Sequence, residues 1–129
     1  MIMKLDHVAI YVKDLEATKE FFMSYFDGVS NEMYHNPRTG LSTYFLTFGD
    51  GSRLEIMNRQ EVTTSEYEPF RGGLIHIAFS VGGKEAVDDL TARLKADGYE
   101  VLSGPRTTGD GYYESSVRGM ENVIIEITE

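Results

Sequence analysis

Between residues 5 and 12 the chain alternates, with Leu5, His7, Ala9 and Tyr11 on one side and Asp6, Val8, Ile10 and Val12 on the other. A period of two predicts a strand whose Val/Ile face meets a core while His7 points away from it. The period then changes. Asp14 offers a cap, Leu15, Thr18, Phe22 and Tyr25 or Phe26 recur at helical spacing, and Asp27-Gly28 supplies a stop; a single helix covering the sheet is expected. The polar stretch 31–40 reads as a loop, and STYFLTF (42–48) with RLEIM (53–57) reads as a hairpin closed by Gly49, Asp50 and Gly51.

The same order returns in the second half. LIHIAFSV (74–81) repeats LDHVAIYV (5–12): Leu5, His7, Ala9 and Val12 become Leu74, His76, Ala78 and Val81 at an offset of 69. KEAVDDLTARLKADG follows as a helix, SGPRTTGDG as a loop, and GYYESSVRG and NVIIEITE as strands. Asp27-Gly28 is answered by Asp97-Gly98 at an offset of 70, and Leu54, Glu55 and Ile56 by Ile125, Glu126 and Ile127 at 71. The pattern predicts an α+β fold, a single domain over residues 1–129. It consists of two tandem β-α-β-β-β modules, 4–58 and 74–129, joined by a polar linker at 59–73 that could also serve as a lid. Each module has a helix on one side of its sheet only. Two such curved mixed sheets can wrap a shared cleft.

Composition narrows the chemistry. With 129 residues, 41% of them hydrophobic and 26% charged, the chain has enough apolar material for one well-packed domain. No cysteine is present, which excludes thiol nucleophiles, zinc ribbons and iron–sulfur sites and leaves His, Asp and Glu as the strong metal ligands. The net charge of −9 comes without an Arg/Lys cluster, so nucleic acid is not an expected partner. The acids Glu16, Glu20, Asp88 and Asp89 read as solvated helix faces. The start, MIMKLDHV, lacks signal-peptide and transit-peptide patterns and no run has membrane-spanning length; a cytoplasmic location and no membrane partner are expected.

The faces turned away from the core carry His7, Glu55, His76 and Glu126, two duplicated His/Glu pairs among only three histidines in the chain. A carboxylate in an apolar strand is solvent-facing or paired, because burial without a partner costs several kcal/mol. A strand histidine either packs or ligates. Taken together, two neutral imidazoles and two carboxylates balance one divalent ion, and the mixed N/O set suits zinc, nickel, cobalt, iron or manganese better than calcium. His35 and Arg38 fall in the first polar loop; Arg38 and Arg118 could counter an anionic substrate or lie exposed. Tyr112 or Tyr113 could line the cleft or pack.

From LDHVAIYVKDLEATKEFF through RLEIM and LIHIAFSV to GYYESSV and NVIIEITE, the chain resembles the vicinal oxygen chelate superfamily, which includes glyoxalase I, methylmalonyl-CoA epimerase, extradiol dioxygenases and fosfomycin or bleomycin resistance proteins. Glu at position 55 completes the His-Glu-His-Glu set of glyoxalase I. The resemblance implies a paired-module fold around one divalent metal, zinc or nickel foremost, held by His7, Glu55, His76 and Glu126. It implies a lyase or isomerase of glyoxalase I type, moving a proton through a metal-stabilised enediolate with Glu126 as base and Glu55 as its partner. A methylmalonyl-CoA epimerase-like isomerase or a non-catalytic antibiotic- or small-molecule-binding resistance protein are the alternatives. The resemblance also implies a homodimer and a small-molecule substrate. Tyr11 stands where bacterial glyoxalase I carries an arginine.

Overall fold

A computed structural model describes residues 1–63 and 68–129. The chain divides into two compact units, Met1–Glu66 and Tyr67–Glu129, each an α+β assembly of one mixed sheet and one helix of 12 or 13 residues. The expected linker at 59–73 runs across residues 64–67, which lie outside the described residues. Among the described residues no helix is long and apolar enough to cross a membrane.

In the first unit the elements are β1 (His7–Tyr11), α1 (Leu15–Phe26), β2 (Val29–Ser30), β3 (Tyr34–Asn36), β4 (Leu41–Thr47) and β5 (Arg53–Asn58). The sheet runs β1-β5-β4-β2, with β3 also paired to β4. Edge strand β1 is parallel to β5, which forms an antiparallel hairpin with β4. Asp14 caps α1 by accepting from the Ala17 backbone N–H at 2.9 Å, and Asp27 ends it at φ 55°, as its short polar side chain permits. Leu15, Thr18, Phe21, Phe22 and Phe26 of α1 are buried together with Val12, Tyr44, Leu46, Leu54 and Ile56. The stretch 31–40 is not all loop. Tyr34–Asn36 pairs with Leu41–Thr43, so the module's second strand is split into β2 and β3, both drawn onto the same edge of β4.

The second unit contains β6 (Ile77–Ser80), α2 (Lys84–Ala96), β7 (Glu100–Thr107), β8 (Tyr113–Arg118) and β9 (Ile124–Thr128), in the sheet order β6-β9-β8-β7. Here β6 is the edge strand parallel to β9. Val87, Thr91 and Leu94 of α2 are buried with Val117, Ile125 and Ile127 of the sheet. Thr91 and Ser115 share a buried hydroxyl–hydroxyl bond of 2.6 Å, and Thr91 also donates to the Val87 carbonyl. Two expectations need correction. His76 lies just before β6 and not inside it, and strand β7 runs through Gly104-Pro105 to Thr107, where a loop was expected. Gly104 allows this: at φ 79° it lies so near β8 that an added Cβ would stand 2.5 Å from the Glu114 carbonyl oxygen.

Candidate functional site

Core and candidate site occupy opposite faces of the same strands. Leu54 and Ile56 point into the first core, which turns Glu55 between them to the other face, and Ile125 and Ile127 do the same to Glu126. In each unit the histidine then stands at the start of the edge strand, His7 as the first residue of β1 and His76 just before β6. Ala9 is the residue paired with Glu55, and Ala78 the residue paired with Glu126; the histidine stands two positions earlier in both cases. Both alanines are exposed, and their methyl groups leave the strand face beside each carboxylate open.

His7 Nε2 stands 3.7 Å from Glu55 Oε1, and His76 Nε2 stands 3.3 Å from Glu126 Oε2. Two donors each about 2.1 Å from one ion and about 90–109° apart would be about 3.0–3.4 Å from each other. The second pair has that spacing and the first is a few tenths of an ångström wider. Imidazole Nε2 and carboxylate oxygen are also the right donor types for a borderline divalent ion, so each pair fits two ligands of a metal. Glu55 and Glu126 keep only 15% and 24% of their side-chain surface exposed, so these carboxylates are sheltered but reachable. Among the described residues no group of three or more His, Asp, Glu or Cys side chains is gathered for a metal; each unit brings together one pair.

The surroundings of the pairs differ. Around the first, Asp6 Oδ2 lies 2.7 Å from His7 Nδ1 and accepts from Arg53 Nη2 at 2.6 Å. These two partners hold the Asp6 carboxyl below the usual carboxylate range. An ionised carboxylate can only accept, so the Nδ1–H of His7 faces Asp6 and Nε2 is turned toward Glu55. Arg53 also lies over the Phe45 ring at 4.5 Å, and the His7 ring meets Phe45 edge-on at 5.0 Å. Around the second pair stands a carboxyl that sequence reasoning missed. Glu114 of β8 has its pKa raised by burial first and then by its hydrogen bond with Glu126. Strand alternation could have found it: Ser116 is the partner of Glu126 across the sheet, so Glu114, two residues away, shares that face.

The minor candidates fall elsewhere. Tyr113 donates to Asp88 of α2 at 2.5 Å and so faces the helix side of its sheet, away from Glu126; Tyr112 is exposed ahead of β8. His35 is bonded to Ser42 Oγ at 2.8 Å, and Arg38 is exposed in the turn after β3. Arg118 shares the Glu114 face of β8 and pairs with Glu100 at 3.3 Å. The first unit has a further missed residue, Arg59. It lines a pocket of about 430 Å³ with Tyr11, Glu61, Val62 and Thr63, and its Nε donates to Glu61 at 2.6 Å. Tyr11 shares the His7 face of β1, four residues further along the strand.

A duplicated β-α-β-β-β unit with a His/Glu pair on each open face defines a protein class, and the chain belongs to the Glyoxalase/Bleomycin resistance protein/Dioxygenase superfamily, whose family model matches residues 4–127. It is 28% identical to the uncharacterized protein YqjT of Bacillus subtilis strain 168, over 95% of this chain and 96% of that one. Among solved structures it is similar to a glyoxylase/bleomycin resistance protein/dioxygenase domain from Frankia sp. EAN1pec, with 20% identity, 99% and 98% coverage and a TM-score of 0.83. It is also similar to the fosfomycin resistance protein FosX of Listeria monocytogenes complexed with Mn(II) and sulfate, with 24% identity, 99% and 93% coverage and a TM-score of 0.75. These two structural likenesses establish the fold.

Proposed function

We propose that His7, Glu55, His76 and Glu126 together hold one divalent metal ion and that the protein is a metal-dependent lyase or isomerase of glyoxalase type. The observation that carries this reading is the duplicated geometry: a Glu paired with an alanine of a parallel edge strand, two residues along from a His whose Nε2 stands within 3.7 Å of the carboxylate. One ion takes both pairs, from the two units of a chain or from two chains of a homodimer. Zinc and nickel suit the donor set, and the Mn(II) bound by FosX adds manganese to the ions worth offering.

When bound, the ion polarises the oxygens of a small oxygenated substrate and offsets the charge that develops on them. The protein's own residues supply the rest. Glu126 takes a proton from the hydroxyl-bearing carbon next to a carbonyl and gives it back to the neighbouring carbon, while the hydroxyl proton passes to the former carbonyl oxygen, so that the product is an isomer and the carboxylate is regenerated; Glu55 is its partner across the substrate. Ala9 and Ala78 leave room for the substrate beside the two carboxylates. Tyr11 in place of an arginine, and a net charge of −9, favour a substrate other than glutathione conjugates.

The test combines elemental analysis with NMR detection of carbon-bound proton exchange in deuterated buffer, using hemithioacetals, 2-hydroxy ketones and acyl-CoA thioesters. Metal-dependent exchange that disappears in Glu126→Gln is expected. A chain that binds none of zinc, nickel, cobalt or manganese would overturn the reading. The likeness to a fosfomycin resistance protein favours one second reading, an antibiotic-binding resistance protein, which predicts tight metal-dependent binding of fosfomycin-like ligands without proton exchange.

A further inference from the structure

We propose that Asp6 is a positioning residue for metal capture. It holds the His7 ring with Nδ1–H on its own carboxylate and Nε2 turned to Glu55, and it makes the first His/Glu pair the pre-set half of the metal site. The inference rests on the metal-dependent reading above and deepens it.

A neutral imidazole has two freedoms that weaken it as a ligand: the hydrogen can sit on either nitrogen, and the ring can turn about its bond to Cβ. Asp6 removes both. Its Oδ2 takes the Nδ1 hydrogen at 2.7 Å, and turning the ring over would break that bond. Asp6 is itself 59% exposed, so a carboxylate in its place would ordinarily sample several rotamers. Arg53 stops this by donating to the same oxygen at 2.6 Å. Arg53 is in turn laid over Phe45, whose ring the His7 imidazole meets edge-on. Asp6, His7, Phe45 and Arg53 thus form a closed set spanning β1, β5 and β4, and each restrains the next. His7 and Arg53 are each 35% exposed, so core packing does not account for the arrangement. Orienting a ligand does.

The second unit provides an internal control. Ile75 precedes His76 as Asp6 precedes His7, and Ile124 stands two residues before Glu126 as Arg53 stands before Glu55. Ser116 pairs with Glu126 as Phe45 pairs with Glu55. Neither isoleucine can accept a hydrogen bond from an imidazole or bind a carboxylate. His76 therefore lacks this support, and the first pair is the one pre-set by a bonded carboxylate.

The test uses the full chain, Mn(II) binding followed by calorimetry, and 15N-edited NMR of the histidine rings in the metal-free protein above the imidazole pKa. In Asp6→Ala, Mn(II) binding should weaken about 10–100-fold, and the His7 ring nitrogens should report mixed tautomers while those of His76 stay unchanged. Asp6→Asn keeps an oxygen that can accept from Nδ1 and should restore most of the affinity and the tautomer. Wild-type Mn(II) affinity in Asp6→Ala, or an unaltered His7 tautomer in that variant, would overturn the proposal. Binding of none of zinc, nickel, cobalt or Mn(II) by the unaltered chain would instead overturn the functional reading, while the tautomer measurement on the metal-free chain still reports whether Asp6 orients His7, which keeps the two failures apart.

Discussion

The two units place a histidine and a glutamate at equivalent points of equivalent strands, yet they surround them differently. The first pair is braced by an ion-paired aspartate and an aromatic ring, whereas the second has isoleucines at the bracing positions and a neighbouring carboxyl, Glu114, on its glutamate. The cores differ as well. Phe21, Phe22 and Phe26 fill the first, while the second is aliphatic and contains a buried Thr91–Ser115 bond. The difference separates what the fold imposes from what each unit solves locally. Alternation along β5 and β9 forces Glu55 and Glu126 outward because their neighbours must go inward. Nothing in the strand geometry dictates what stands beside the histidines.

Three substitutions sharpen this contrast. The largest effect is expected from emptying the cores: Phe22→Ala should cost about 3–5 kcal/mol and Ile125→Ala about 2–5 kcal/mol. Hydrogen exchange should show the loss of protection concentrated in α1 and β5 for the first and in α2 and β9 for the second. Equal loss across both units in either variant would break the comparison. Thr91→Val leaves the Ser115 hydroxyl buried without its partner and should cost about 1–3 kcal/mol in denaturant melts.

The smallest effect concerns the helix–sheet tyrosine bond. Tyr44 donates to Glu16 at 2.5 Å, which lowers the Glu16 pKa and raises that of Tyr44. For a lowered carboxylate the stabilisation is complete above its unfolded pKa of 4.5 and is lost as pH falls through the folded value. For the raised tyrosine it is complete below 10.0 and is lost as pH rises through its folded value. Tyr44→Phe should therefore cost about 1 kcal/mol at neutral pH and flatten the acid limb of a stability–pH profile. A profile unchanged on that limb would show that the bond contributes nothing.

Much of this architecture is legible in the sequence because strands with one buried face must alternate. Leu54-Glu55-Ile56 and Ile125-Glu126-Ile127 declare both their elements and the outward direction of their carboxylates, and Asp14 and Asp27-Gly28 bound the first helix. The less legible parts depend on partners distant in the chain. Strands β2 and β3 have two and three residues, too few for a period, and exist because β4 offers its edge. Gly104-Pro105 punctuates the local pattern, yet β7 passes through it because β8 comes close there. Glu16 and Asp88, expected as solvated helix acids, are exposed but accept hydrogen bonds from Tyr44 and Tyr113. Asp6 reads as one more residue of the core-side face and acquires its significance from Arg53, which lies 47 positions away.

The central claim is that two duplicated pairs serve one ion. Its most direct measurement is the stoichiometry of divalent metal binding by the full chain, with zinc or Mn(II), compared with His7→Ala and His76→Ala. One ion per chain is predicted, with affinity falling at least about 100-fold in each variant, because the claim makes each histidine a ligand of that one ion. Two ions per chain, or one variant that retains the wild-type affinity, would contradict it.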